Sequence, residues 1–237
     1  MHSPGGESGS AYSKADTIAV LFSAGLDSAV LLAHALRENG GGAVQPVYVS
    51  AGLAWEAEER AAAQRLLKSA PYNSPQILPL VALTLDMRDV YPASHWAVRG
   101  TPPAYDTPDE DVYIYGRNIV LLSKTAVYMA KAGIARVLIG PLAGNPFPDA
   151  SQGFFDAMER ALSIGLASAI RIDAPFAAMH KDRVIALGRS LGVPLELTLS
   201  CMQPRDGVHC GRCSKCRERI EAFREAGGVD ETTYAGS

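Results

Sequence analysis

A short apolar run that ends in a turn of small residues constrains the fold of this chain more than any other feature. Residues 17–22 read Thr-Ile-Ala-Val-Leu-Phe, and such a run predicts a strand that is buried on both faces of a parallel sheet. Helices are predicted over residues 28–36 and 55–69, with strands over 44–49 and within 76–85. Because strands and helices alternate, the sequence predicts an α/β fold with a doubly wound, mostly parallel sheet.

The second half of the chain continues the same alternation. Its apolar pattern predicts a long helix over residues 116–133, a buried strand over 136–140, and helices over 154–166 and 181–191. Residues 91–113 are rich in Pro, Asp and Tyr and have no clear period. A stretch of that length is usually functional in a compact domain, so we expect a functional loop or lid there.

Length and composition indicate how the chain is divided. It has 237 residues, a net charge of −3, 48% hydrophobic and 20% charged residues, which excludes a largely disordered protein. We predict a flexible Gly/Ser-rich leader over residues 1–15, an α/β domain over 16–198 and a Cys-rich C-terminal element over 199–237 that packs on it.

Charge and hydropathy also restrict where the protein works and what it binds. No apolar run reaches the ~18–20 residues of a membrane helix, and the first ten residues lack the cationic and apolar regions of a signal peptide. We therefore expect a cytoplasmic protein with no membrane partner. The slightly acidic balance argues against a dedicated nucleic-acid binder.

The segment between the first strand and the first helix has the features of a phosphate-binding loop. It consists of Phe22, Ser23, Ala24, Gly25, Leu26, Asp27 and Ser28. Small residues let the backbone approach a ligand, and a helix start offers unpaired N–H groups and a positive dipole end. The segment is neither a Walker loop nor Gly-x-Gly-x-x-Gly. Asp27 would repel a bare phosphate, so it indicates a bridging Mg²⁺ or, alternatively, the N-cap of the helix.

The four cysteines of the chain fall within one short segment. Cys201, Cys210, Cys213 and Cys216 supply enough thiolates to close a tetrahedral structural Zn²⁺ site. An iron–sulfur cluster and a redox-active Cys-x-x-Cys pair are the alternatives. His209 is expected to be a bystander. The basic side chains of residues 205–224 are expected on a solvated helix face, with a nucleotide or RNA phosphate patch as the alternative.

These motifs together resemble those of a known family. Residues 23–28 are similar to the Ser-Gly-Gly-x-Asp-Ser loop of the PP-loop ATP pyrophosphatases, which have the adenine nucleotide alpha-hydrolase type of fold. With Tyr115-Gly116-Arg117-Asn118 in the middle and Cys216-Arg217-Glu218-Arg219 after the other cysteines, the chain resembles the 7-cyano-7-deazaguanine synthase family of queuosine biosynthesis. The resemblance extends from about Thr17 to Tyr234.

The resemblance implies a reaction and its cofactors. The carboxylate of 7-carboxy-7-deazaguanine would attack ATP, ammonia would displace AMP from the acyl-adenylate to give an amide, and a second ATP would activate the amide for elimination to the nitrile. ATP, Mg²⁺ and a structural Zn²⁺ are the implied cofactors, and the implied activity is that of an ATP-dependent C–N ligase. The family precedent also suggests a homodimer.

Site residues follow from the same resemblance. Residues 22–28 would bind ATP, with Asp27, Arg117 and Lys181 as catalytic residues and with Arg117, Asn118 and Asp149 binding the substrate. The alternatives are structural: Arg117 and Asn118 begin a helix, and Asp149 caps the next helix. Trp55 and Trp96 are expected to be packing residues, of which Trp96 is the better stacking surface.

Three departures from the family pattern indicate a divergent member. Ala24 stands where the family has Gly, Ala51–Trp55 replaces Tyr-Gly-Gln-Arg-His, and Ala150-Ser151 replaces Cys-Arg. If position 24 needs a positive φ, Ala adds strain of about 1 kcal/mol. The alternatives are a PP-loop enzyme that adenylates a different acid, an RNA-modifying enzyme whose zinc element binds tRNA, and a non-catalytic nucleotide-binding module.

Overall fold

A five-stranded, fully parallel sheet forms the centre of the molecule. A computed structural model describes residues 16–235, so the leader predicted for residues 1–15 lies outside the described residues. The strands are β1 (Ile18–Leu21), β2 (Val44–Ser50), β3 (Val81–Thr84), β4 (Arg136–Leu138) and β5 (Arg171–Asp173), in the spatial order β3-β2-β1-β4-β5. The predicted doubly wound parallel sheet is confirmed.

The central strand fixes the register of the whole sheet. Ile18 of β1 pairs with Val44 of β2 on one side and with Arg136 of β4 on the other. The order reverses at β1, because the chain first moves outward through β2 and β3 and then returns to the other side of β1. Such a reversal opens a crevice at the carboxyl ends of the strands, where ligands of open α/β sheets bind.

Helices cover both faces of the sheet. They are α1 (Leu26–Glu38), α2 (Glu56–Leu66), α3 (Trp96–Arg99), α4 (Arg117–Ala132), α5 (Gln152–Leu166), α6 (Lys181–Ser190) and α7 (Ser214–Glu225), with 3₁₀ turns at Asp109–Val112, Pro148–Ala150 and Leu195–Leu197. The long predicted helix is α4, and a left-handed glycine flanks each of its ends, Gly116 at φ 68° and Gly133 at φ 74°.

Two hydrophobic cores lie on opposite faces of the sheet. One packs α1, α2, α6 and α7 against it, and the other packs α4 and α5. Helix α6 approaches α1 so closely that a Cβ on Gly188 would come within 2.7 Å of a Val30 methyl group. The absent side chain at Gly188 therefore allows the contact that brings the start of α6 toward the start of α1.

Strand β5 was not predicted, and α7 was expected only as a helix face within residues 205–224. Strand β5 has three residues and carries Arg171 and Asp173 at its ends, so it lacks the apolar run by which the other strands were recognised. In the part of the chain that the structure describes, no helix is long and apolar enough to cross a membrane.

The predicted loop of residues 91–113 contains α3 and the 3₁₀ turn at Asp109–Val112. It packs against the Cys-rich element: Ala104 forms an antiparallel bridge with Cys213, and Arg217 Nη2 donates to the carbonyl of Thr107 at 3.2 Å. The Cys-rich element thus contacts the interior of this segment, and Trp96 and Val112, on either side of these contacts, border the candidate site.

Candidate active site

The predicted phosphate loop follows β1 and adopts a left-handed turn. Ala24 has φ 63° and is fully buried, so the strain expected for a non-glycine residue is present. Its carbonyl accepts the N–H of Leu199 at 2.8 Å. The hydroxyls of Ser23 and Ser28 lie 3.4 Å apart, and the Ser28 hydroxyl donates to the carbonyl of Gly25 at 3.0 Å.

No side chain caps the helix that follows this loop. Gly25 occupies the N-cap of α1, and Asp27 lies inside the first turn, so the alternative that Asp27 is the N-cap is wrong. The first N–H groups of α1 therefore face the crevice beyond the central strand with the positive end of the helix dipole. This arrangement is suited to an anion such as a nucleotide phosphate.

Asp27 belongs to a chain of alternating charges that joins three helices. Its Oδ2 lies 3.2 Å from Lys181 Nζ, and the ammonium group also contacts the Glu218 carboxylate of α7. Glu218 in turn accepts from Lys215 Nζ at 2.6 Å. Asp27 Oδ1 is buried and has no hydrogen-bond partner among the described residues, which leaves one carboxylate oxygen for a bound ligand.

Burial and these contacts shift the pKa values of the charged side chains in this cluster. Burial raises the pKa of Asp27 above its ordinary value, although the Lys181 charge lowers it. Burial would lower the pKa of Lys181, but the charges of Asp27 and Glu218 raise it above its ordinary value. Burial likewise opposes ionisation of Glu218, yet Lys181 and Lys215 lower the pKa of that carboxyl to about 2. Lys181 and Glu218 are therefore ionised at neutral pH.

Arg117, Asn118 and Asp149 meet at the start of α4. The Asn118 N–H donates to Asp149 Oδ2 at 2.9 Å, and the Asn118 amide donates to the Asp149 carbonyl at 2.8 Å. Asp149 therefore caps α4, while Ser151 is the N-cap of α5, so the alternative that Asp149 caps the next helix is wrong. Within residues 16–235 the Arg117 guanidinium makes no hydrogen bond or close ion pair.

Two adjoining cavities lie over this region. The sheet-edge cavity, of about 290 Å³, is bordered by the carboxyl ends of β1, β2 and β4. The Cys-side cavity, of about 500 Å³, is bordered by Lys181, Lys215, Glu218 and residues 199–202. The two cavities have a wall in common. Part of this shared wall is the loop of residues 22–28, and polar side chains of other elements form the rest. Polar residues of this shared wall are Ser23, Asp27, Glu59, Arg117 and Asn145.

Glu59 is a site residue that sequence reasoning missed. It lies on α2, is 8% exposed, and its Oε2 accepts the Tyr48 hydroxyl at 2.8 Å. Burial raises the pKa of Glu59 to about 7, against the opposing charge of Arg117 and the hydrogen bond from Tyr48. One sequence signal could have indicated a role for Glu59, namely a carboxylate on the buried face of a predicted helix.

The segment that departs from the family pattern forms an apolar wall. Ala51, Leu53 and Trp55 are all buried, and Trp55 stacks on Trp96 with ring centroids 5.7 Å apart. Both tryptophans also line the Cys-side cavity. The prediction that they are packing residues is correct for Trp55. The Trp96 ring is half-buried: it stacks on Trp55 and also borders the Cys-side cavity.

The four cysteines converge on one point. Their Sγ atoms all lie within 4.8 Å of one another, with Cys213 and Cys216 at 3.5 Å and Cys210 and Cys216 at 3.9 Å. Ligands at a Zn–S distance of about 2.3 Å in a tetrahedron lie roughly 3.8 Å apart, so the donor set fits a tetrahedral metal ion. Backbone N–H groups of Gln203 and Cys210 donate to Cys201 Sγ at 3.3 and 3.2 Å, as suits a thiolate.

Part of the predicted solvated face around the cysteines is wrong. Arg219 is only 1% exposed and donates to Thr232, Thr198, Ser200 and the Leu195 carbonyl at 2.7–3.0 Å. It therefore fastens α7 to the end of the α/β domain. His209 is also buried and accepts the N–H of Ser200 through Nε2 at 3.1 Å, and it is not one of the residues whose ligand atoms converge, as expected for a bystander.

Comparisons with known proteins agree with this architecture. A family model described as "Queuosine biosynthesis protein QueC" matches residues 17–227. The 7-cyano-7-deazaguanine synthase of Picrophilus torridus is 32% identical over 230 residues, covering 90% of this chain and 90% of that protein. Those of Methanopyrus kandleri and Solidesulfovibrio magneticus are 31% and 33% identical, covering 92% of this chain and 98% and 95% of the relatives. The chain therefore belongs to the queuosine biosynthesis protein QueC family.

Proposed function

We propose that this protein is an ATP-dependent C–N ligase that converts a 7-carboxy-7-deazaguanine-type acid and ammonia into the amide and then the nitrile. Its relatives are named 7-cyano-7-deazaguanine synthases. The observation that carries the proposal is the shared wall. There an uncapped helix start and Asp27, which pairs with Lys181, face the same space as the Arg117 guanidinium, for which the described residues provide no close partner.

The nucleotide is assigned to the sheet-edge cavity and the acid to the Cys-side cavity. The first lies at the carboxyl ends of the strands, where the strand order reverses, and this is the usual nucleotide position in such sheets. The second has the Trp55 and Trp96 rings on its wall, which suits a planar heterocycle. The acid carboxylate and the α-phosphate would then meet at the shared wall.

Positioning and charge neutralisation account for the first step. The N–H groups at the start of α1 and the hydroxyls of Ser23 and Ser28 hold phosphate oxygens, and Arg117 holds the attacking carboxylate. As the carboxylate oxygen attacks the α-phosphorus, the bond to pyrophosphate breaks on the opposite side of the phosphorus, where the start of α1 and the two hydroxyls hold the leaving oxygens. The ammonium group of Lys181, which pairs with Asp27 beside this loop, offsets part of the developing charge. AMP is then a good leaving group, so the second step needs little acid catalysis.

Mg²⁺ and Zn²⁺ have suitable donors in this chain. The unpartnered Asp27 Oδ1 is a hard oxygen ligand of the kind that Mg²⁺ takes beside substrate phosphates. Cys201, Cys210, Cys213 and Cys216 would hold Zn²⁺ with no open position, and the metal would supply folding energy to the element that carries Lys215 and Glu218.

Product analysis tests the proposal directly. The protein is incubated with ATP, Mg²⁺, ammonia and 7-carboxy-7-deazaguanine, and the products are identified by mass spectrometry. Amide or nitrile together with AMP is the expected result. No conversion of this acid by a protein that binds ATP would overturn the assigned substrate.

A second candidate is the adenylation of a different acid. It is favoured by Trp55, which borders the cavity assigned to the acid and belongs to the segment Ala51–Trp55, where the family pattern has polar and cationic groups. A sulfur-transferring, RNA-modifying role is less favoured, because all four cysteines converge in one cluster. A screen for acid-dependent AMP formation over aromatic carboxylic acids separates the first candidate from the second.

A further inference from the structure

Glu59 lies where the two cavities meet, and the mechanism above does not use it. Three ionisable side chains border both cavities within the described residues, namely Asp27, Arg117 and Glu59. Asp27 is neutralised by Lys181 at 3.2 Å, and Arg117 is a cation. Glu59 is thus the carboxylate of this wall that has no cation at ion-pair distance among residues 16–235.

Ammonia presents a chemical problem that such a carboxylate would solve. At neutral pH almost all of it is ammonium, which has no lone pair and cannot attack a carbonyl carbon. A group that removes the proton must lie beside the adenylated carboxyl group, and it must be able to give the proton up again. Lys181 and Arg117 cannot accept this proton, because both are already cations at neutral pH.

We infer that Glu59 is the proton acceptor that converts ammonium to ammonia at the adenylated carboxyl group, an inference that rests on the proposed ligase function. Ammonium gives one proton to the Glu59 carboxylate. The nitrogen lone pair forms a C–N bond to the acyl carbon, the C–O bond to AMP breaks, and AMP leaves with that electron pair. The nitrogen of the product then loses one further proton to water, and Glu59 returns its own proton to water.

The surroundings of Glu59 fit this duty. Four side chains from three elements face it: Tyr48 from β2, Glu56 and Trp55 at the start of α2, and Arg117 from α4. Burial raises the pKa of Glu59, Arg117 lowers it, and the result of about 7 lets the group accept a proton and release it at neutral pH. A carboxylate can accept about four hydrogen bonds, so Glu59 retains acceptor capacity beyond its contacts with the Tyr48 and Trp55 side chains.

Glu59→Gln tests the inference, because the amide keeps an acceptor for Tyr48 but cannot take the proton. Hydroxylamine serves as the second nucleophile, since it is uncharged at neutral pH and needs no proton acceptor. We expect the variant to retain acid-dependent pyrophosphate exchange and hydroxamate formation. Its kcat/KM for ammonia should fall on the order of 10²-fold, the usual size of a general-base contribution.

Two further variants keep the test independent of folding. Glu58 lies on the same helix but borders neither cavity, and its two oxygens accept the N–H groups of Asp206 and Gly207. Glu58→Gln should therefore leave the ratio of ammonia to hydroxylamine use unchanged. Tyr48→Phe removes a hydrogen bond that lowers the pKa of Glu59, so the pH profile for ammonia should move to higher pH.

The outcomes are distinguishable. An equal loss of ammonia and hydroxylamine use in Glu59→Gln, or full retention of ammonia use, would overturn the role of Glu59. A wild-type protein that catalyses no acid-dependent pyrophosphate exchange would instead overturn the ligase function on which this inference rests.

Discussion

Lys181 Nζ lies 3.2 Å from Asp27 Oδ2, so a lysine in the first turn of one helix neutralises a carboxylate in the first turn of another. The same ammonium group contacts Glu218 of α7. A cation at a helix start is disfavoured by the helix dipole, and these two carboxylates offset that cost. The phosphate loop and the Cys-rich element are thereby connected through one side chain that borders the Cys-side cavity.

Replacing Asp27 should abolish turnover and leave the fold intact. In Asp27→Asn the proposed Mg²⁺ or phosphate contact is weakened, and we expect pyrophosphate release to fall on the order of 10²–10³-fold, as for other lost electrostatic contacts to a transition state. Lys181 keeps Glu218 as a partner, so the melting temperature should change little. Asp182→Asn, in the first turn of α6, is the matched control, and near-normal release by Asp27→Asn would contradict the assigned role.

Glu218 should make stability depend on pH in the acid range. Its pKa in the folded protein is about 2 against an ordinary 4.5, so the unfolded chain binds more protons between these values. The stabilisation is complete above the ordinary pKa and is lost as the pH falls from about 5 to about 2. Urea unfolding of wild type and Glu218→Gln should differ by on the order of 2–3 kcal/mol at neutral pH and converge on acidification. Glu196→Gln, at an exposed position, should follow wild type throughout.

Arg117 should determine how well the acid is used. Its guanidinium borders both cavities and has no close partner in the described part of the chain. A charge-assisted contact contributes about 1.5–3 kcal/mol, so Arg117→Gln should lower kcat/KM for the acid roughly 10–150-fold. Lys131→Gln, near the exposed end of the same helix, is the control. The role fails if steady-state rates with limiting acid are the same in both variants.

Sequence patterns predicted the parts of this fold that local physics controls. The buried strand at residues 18–21, the turn of small residues that follows it and the glycine-flanked helix α4 each depend on residues that are neighbours in the chain. The converging cysteines were predicted from the same kind of spacing. In each case the residues that determine the local structure lie within one short segment of the sequence.

Features that depend on contacts between residues far apart in the chain could not be predicted from the sequence. Arg219 looks like a solvated basic residue until Thr198 and Thr232 are seen to accept its hydrogen bonds. Glu59 becomes a site residue only because β2 brings Tyr48, and α4 brings Arg117, to the same side of α2. In both cases the environment of the side chain is formed by residues that lie far away in the sequence, and the pattern of neighbouring residues does not reveal it.

Loss of one cysteine should remove the metal and much of the stability together. Cys213 and Cys216 lie 3.5 Å apart at the start of α7, so Cys213→Ser should lower bound zinc well below one ion per chain. Because structural zinc contributes folding energy directly, we expect a destabilisation on the order of several kcal/mol. Metal analysis and thermal unfolding check this, with chelator-treated wild type as the comparison. Unchanged melting of the serine variant would be incompatible with a structural metal.

Arg219 should be the residue that holds the Cys-rich element on the α/β domain. Its guanidinium is buried, makes four hydrogen bonds and lies 5.1 Å from the centre of the Phe223 ring. Arg219→Met leaves buried oxygens without donors, and we expect it to cost about 3–5 kcal/mol in unfolding free energy. Arg189 lies 5.6 Å from the same ring but is exposed, so Arg189→Met should cost within about 1 kcal/mol. Arg189 also donates to the carbonyls of Gly227 and Val229, so equal destabilisation of the two variants in urea unfolding would show that the buried hydrogen bonds of Arg219 fasten α7 no more strongly than these exposed contacts do.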